Sequence, residues 1–254
     1  MRKVVSDIIC VFQIHLARLR AESGPFLLAA IVFPIGMYLF ANGVAAKNTG
    51  AELTNSAKLS FLAASLVFSL SLTAISWFGY LLLENRFTGR LKLFATMPVT
   101  VTAYFFGVLI FALAQGAIAT FSMLAAAWAL GVSTQFNGLG GMLLLTVVVF
   151  LSLISLCGIS LIIAARVRSF SEGSLMTDAL GAGLVLLAPV YYPADMLPGI
   201  LQWVGKVLPT TYIYEAINKI MSGNSMIWNE LLILTVAAVV TLLVGFSQMK
   251  WREN

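Results

Sequence analysis

The chain has 254 residues, 60% of them hydrophobic and only 10% charged, with a mean hydropathy of +0.97. Soluble domains carry about 25% charged residues, so this composition excludes a water-soluble fold and defines an integral membrane protein. The net charge of +5 is too small and too dispersed to support nucleic-acid binding, and it bears instead on orientation in the bilayer.

Residues 1–22 carry Arg2, Lys3, Asp7, His15, Arg18, Arg20 and Glu22, with no continuous apolar core and no small-residue cleavage site. They are therefore not a cleavable signal. Val5, Ile9, Phe12, Leu16 and Leu19 recur at helical spacing, which predicts an amphipathic helix lying in the membrane interface. Beyond it, a bilayer crossing needs about 20 apolar residues. Six windows meet or approach that length: 26–46, 59–83, 101–130, 139–165, 175–192 and 227–247. Residues 47–58 and 131–138 are short connections on one side of the membrane. Cys10 and Cys157 lie too far apart in this plan for a disulfide and read as small apolar fillers.

The second window has Ser65, Ser69, Thr73 and Ser76 on one helix face. Such a stripe suits either packing against neighbouring helices or the weakly polar wall of a pathway. Gln115 in the third window reads as a helix-packing contact. The loop 84–99 mixes Glu84, Arg86, Arg90 and Lys92 with Phe87, Leu91, Leu93 and Phe94, and reaches Pro98. A short helix along the membrane with that mixture predicts a docking surface for a soluble partner. Asp178 lies about 4.5 Å into the fifth window and reads as interfacial; Ala179 with Gly183, and Thr177 with Gly181, are small pairs suited to close helix contact.

The stretch 187–219, into which the fifth window runs, is apolar yet contains Pro189, Pro193, Pro198 and Pro209. It predicts two short helices, near 196–207 and 211–221, in a hairpin (193–224) that enters the membrane and returns. Irregular backbone at that depth must be buried in protein or line a cavity. Eleven Lys and Arg residues lie in residues 1–22, the loop 84–99, the loop at 166–168 and the C-terminal tail, against Lys47, Lys58, Lys206 and Lys219 elsewhere. The positive-inside rule then places both termini in the cytoplasm and the hairpin outside.

Catalysis has little to work with. One histidine excludes a His-based zinc site or a Ser-His-Asp arrangement, and no P-loop motif is present. No acid sits mid-span, as proton-coupled transport usually requires.

Two regions bear a resemblance. Glu84, Gly89, Leu91 and Pro98 match the first cytoplasmic loop of the membrane permeases of type-2 ABC exporters; Arg90, Lys92 and Met97 depart from that pattern. Val190, Tyr191, Tyr192, Pro193, Leu197 and Pro198, then Pro209, Thr211, Tyr212, Glu215 and Ala216, match the family's second region, with Ala188, Pro189 and Asn218 departing. The similarity covers nearly the whole chain. It implies a single transmembrane domain over residues 1–254, all-α, with an interfacial helix, six spans and a re-entrant hairpin between spans five and six.

The resemblance further implies a non-enzymatic permease subunit in a prokaryotic inner membrane. Its partners would be two copies of an ABC ATPase, which carry the ATP and Mg, and a second permease subunit, a homodimer ahead of a heterodimer. Loop 84–99 becomes the coupling helix, using Glu84, Arg86, Phe87, Gly89, Arg90, Leu91, Lys92 and Pro98 with Arg166 and Arg168. The pathway would involve Ser65, Ser69, Thr73, Ser76, Tyr191, Tyr192, Pro193, Tyr212 and Glu215. Apolar walls with scattered hydroxyls favour lipids or amphipathic small molecules as cargo, with a polysaccharide as the alternative. A secondary transporter and a non-transporting assembly protein are the competing readings.

Overall fold

The computed structural model describes residues 2–21, 23–49, 53–96, 99–192 and 198–248. Among them every regular element is a helix, as backbone in lipid must satisfy its own polar groups. Helix α1 is Arg2–Ala21. Ser23–Leu27, a π-helical turn at Leu28–Val32 and Phe33–Thr49 together form α2. Helix α3 is Asn55–Phe87, interrupted by a π-helical turn at Leu72–Trp77. The short α4 is Arg90–Thr96; α5 is Val101–Ala129, α6 Gly138–Arg166 and α7 Phe170–Leu187. Two short helices follow, α8 (Gly199–Val207) and α9 (Pro209–Met221), and then α10 (Trp228–Gln248).

Helices α3, α5, α6 and α10 are long and apolar enough to cross a membrane, which makes this a multi-pass membrane protein. Helices α2 and α7 fill the first and fifth predicted windows but do not join the four. The last regular stretch of α2 is 17 residues, and the 18 residues of α7 include Glu172 and Asp178.

The helix starts follow side-chain chemistry. Thr54, Thr100 and Ser169 accept hydrogen bonds from Ala57 N, Ala103 N and Glu172 N, satisfying amides that have no partner within the helix. Helix α7 begins five residues before the predicted window because of this Ser169 cap. It stops at Leu187 because Ala188, preceding Pro189, is extended at φ −77°, ψ 144°. Pro209 occupies the first turn of α9, where its missing N–H does no harm.

Helix α3 is central, with 78% of its membrane window buried; α10 is peripheral at 22%. The closest helix crossing is α6 on α10. A Cβ on Gly158 would lie 2.7 Å from the backbone carbon of Thr241, and one on Gly245 would lie 2.7 Å from Leu161 Cβ. In lipid, such small residues let dispersion and hydrogen bonds replace the missing hydrophobic drive; Thr241 Oγ1 donates to the Ser155 carbonyl at 3.0 Å. Helix α1 packs on α5 in the same way, with Val11 against Gly107.

The two ends of the bundle sort as expected. Asn55 bonds Ser133 through both side-chain atoms, and Gln135 N donates to the Met221 carbonyl, so the connections 47–58 and 131–138 share an end. Near Met221, Lys219 Nζ meets Glu230 Oε1 at 2.6 Å, with 41% and 8% of the side chains exposed. Lys219→Met should leave the Glu230 charge buried and unpaired. We expect a loss of about 1–3 kcal/mol, less than a fully buried pair because the lysine is partly wet. Thermal unfolding in detergent reads this as a lowered midpoint, largely recovered in the Lys219→Met/Glu230→Gln double variant.

Candidate functional site

At the opposite end of the bundle, Gly89 at φ 77° closes α3 and redirects the chain into α4. Glu84 and Arg86 therefore sit in the last turns of α3 rather than in a separate loop, because the helix propagates until that glycine. Arg86 Nη1 donates to the carbonyls of Ala164 and Val167 at 2.6 and 3.1 Å, capping the end of α6. Its guanidinium also lies over the Phe87 ring, 5.1 Å from the centroid. Arg90 pairs with Glu84 at 3.0 Å, folding α4 back on α3.

Leu91 and Phe94 face the bundle and are buried, while Lys92, Leu93 and Thr96 face outward. Burying two such side chains is worth roughly 1.5–3 kcal/mol each, so α4 is held as part of the fold. Phe94 packs on Tyr104, whose hydroxyl accepts from Asn85 Nδ2 at 2.8 Å. Arg166 Nε donates to Gln248 Oε1, joining α6 to α10, whereas the Arg168 amide donates to Glu172 at the start of α7. Arg86 thus braces the helices behind α4, and α4 offers the outward surface. Pro98 lies outside the described residues.

The hydroxyl stripe is enclosed within this one chain. Ser65, Ser69 and Thr73 are fully buried and Ser76 half-buried. Ser76 donates to the Thr177 carbonyl and neighbouring Ser71 to the Gly181 carbonyl, where α3 and α7 approach through Gly181. The Thr73 hydroxyl completes no hydrogen bond, and those of Ser65 and Tyr191 stand beside each other without closing one of normal geometry.

The residues after α7 fold back onto it. Thr210 donates to the Leu184 carbonyl, Thr211 to Gly205, Tyr212 to Lys206 and Tyr192 to Leu186. Helix α9 wedges among α3, α6 and α10, burying Ile213, Ile217 and Met221. Helix α8 buries Gly205 and turns Ile200, Trp203 and Val207 outward, each more than 70% exposed. Burial, and next the Glu230 charge, push the Glu215 carboxyl above the usual carboxylate range, with Lys219 opposing. Two short helices stand where the pair was predicted, α8 starting at Gly199 rather than 196 and α9 at Pro209 rather than 211. Pro193 lies outside the described residues.

One feature escaped sequence reasoning. A cavity of about 350 Å³ opens between α1, α3, α5 and α7. Trp77 and Tyr80 wall it from α3, Phe111 and Gln115 from α5 and Asp178 from α7, with His15 and Glu84 toward the α4 end. The His15 ring is buried against Phe111 and Phe94, and its Nδ1 must be protonated to donate to the Val11 carbonyl at 2.8 Å. Gln115 is only 4% exposed, and its amide makes no hydrogen bond among the described residues. Two polar side chains inside spans, Gln115 and Asp178, were the available signal. Their convergence was not visible in one dimension.

The structure is that of a multi-pass helical membrane protein with a braced surface helix at one end and folded-back short helices near the other. Residues 8–222 match the family model described as ABC-2 type transporter, and the chain belongs to that family. It is accordingly a transport component whose family implies an ABC ATPase partner. No curated protein matches the chain.

Proposed function

We propose that this chain is the membrane subunit of an ATP-driven exporter that moves lipids or amphipathic small molecules out of the cytoplasm or inner leaflet. The observation that carries the reading is α4. Its apolar side is anchored by Leu91 and Phe94, and its outer side presents Lys92 and Leu93. Just before it, at the end of α3, Arg86 ties that span to the end of α6, and the Arg90–Glu84 pair holds α4 to α3. A push on this helix reaches the spans instead of being absorbed by a loose loop. Two ATPase chains, holding ATP and Mg, would supply that push by closing on each other.

The full assembly has two permease copies, each with six spans, α2 and α7 counting as the first and fifth. Both termini and α4 face the cytoplasm of a prokaryotic cell, following the Lys and Arg distribution. The hairpin of α8 and α9 enters the outer leaflet. Support comes from the apolar outward face of α8, which water would not tolerate at that size, and from the burial of α9 among three spans. Conduction runs near the hydroxyl stripe of α3, whose hydroxyls are enclosed here and would meet a passing polar group only when α3 and α7 part.

Lipid-like cargo is favoured over polysaccharide because the stripe offers only scattered hydroxyls among apolar walls, and Tyr191 and Tyr214 are half-buried.

The test is reconstitution with a cognate ATPase. The chain should co-purify with it in mild detergent and export a fluorescent lipid analogue only when ATP is hydrolysed. Uphill transport by the chain alone, driven by a proton or sodium gradient, overturns the reading in favour of a secondary transporter.

A further inference from the structure

We propose that the cavity between α1, α3, α5 and α7 binds a lipophilic monovalent organic cation, an apolar body bearing an ammonium or phosphonium charge. The volume of about 350 Å³ lies within the range of small-molecule sites, roughly 300–1,000 Å³. Trp77, Tyr80 and Phe111 supply apolar walls whose ring faces attract a cation. The Glu84 charge is already engaged by Arg90, which leaves Asp178 as the other carboxylate on the wall. That selects a monovalent cation over a divalent or anionic guest.

Gln115 is an independent indication. Buried polar groups are ordinarily hydrogen-bonded, yet this amide finds no partner among the described residues and borders the cavity. It is positioned for a polar atom of whatever enters. Ser76 and Trp77 reach the cavity from the π-helical turn of α3, a departure from α-helix that often accompanies function. The exporter reading above bears on where a bound cation goes next, whereas binding itself does not depend on it.

The ammonium could belong to a bilayer lipid headgroup or to a soluble amphiphile, and the test separates them. Tritiated tetraphenylphosphonium is bound to the full-length chain in phosphatidylglycerol nanodiscs, without ATPase, so failure of the exporter assembly leaves this measurement intact. Saturable binding is expected, uncompeted by neutral triphenylphosphine oxide. Asp178→Asn should weaken it about tenfold and Asp178→Glu should restore it, while Gln115→Leu should weaken it about threefold. Asp178 is exposed, so these variants are expected to fold, which gel filtration checks. Adding phosphatidylethanolamine should weaken the probe if the headgroup is the natural occupant, and leave it unchanged if a soluble cation is. Binding identical in Asp178→Asn, Gln115→Leu and wild type, or uptake no greater than by empty discs, overturns the proposal.

Discussion

Leu93→Asp is expected to cut ATP-driven export at least tenfold while leaving the folded permease intact. Leu93 is 59% exposed on the outward side of α4, so the substitution removes no core contact. In an ATPase groove the new carboxylate would be desolvated, and central apolar contacts of this kind are typically worth 2 kcal/mol or more at an interface. The contrast is Leu91→Asp, which places a charge against the bundle where only 9% of the residue is exposed; it should lower stability as well as activity. Export rate, ATPase co-purification and thermal midpoint, measured on both variants, separate the two sides of the helix. Wild-type coupling in Leu93→Asp would remove α4 from the transmission.

Gly158→Ala should be the most damaging single-methyl change among the glycines of the bundle. Its Cβ would sit 2.3 Å from Thr241 Oγ1 and 2.7 Å from the Thr241 backbone carbon. A flexible side chain could swing aside, but backbone cannot, so α6 and α10 must separate. Overpacking of this kind costs about 1–3 kcal/mol, and the bond from Thr241 to the Ser155 carbonyl is lost with it, at about 1 kcal/mol. Gly140→Ala, on the same helix with open space around it, is the control and should be neutral or slightly stabilising. Thermal unfolding and membrane yield of the pair report the difference. Equal midpoints would mean that the α6–α10 crossing is looser than the structure has it.

Local chemistry and length were written in the chain itself. Hydropathy marked where helices run, while the Thr54 and Ser169 caps, which start two of them ahead of their predicted windows, came with the structure. Gly89, Pro189 and Pro209 marked where the backbone must turn, because φ above zero and a missing N–H constrain a single residue regardless of its surroundings. The mixed loop at 84–99 was legible as more than a plain linker from its residue types. Which side of α4 faces outward was not, since that depends on Leu91 and Phe94 packing toward the bundle.

Longer-range facts came only with packing. Arg86 reads as one more cation of the loop, yet it caps the last turn of α6 through the Ala164 carbonyl, 78 residues away. The stripe of Ser65, Ser69, Thr73 and Ser76 was visible as a stripe, but its enclosure against α7 was not. Gln115 and Asp178 read separately as a packing contact and an interfacial acid; in three dimensions they line one cavity with Trp77 and Tyr80. Sequence alone thus determined that this chain lives in a bilayer and where its apolar helices run, since those follow from transfer free energies and backbone sterics along the strand. The tertiary structure decided which polar groups converge and which are sealed away, because that is set by how helices far apart in the chain rotate against one another.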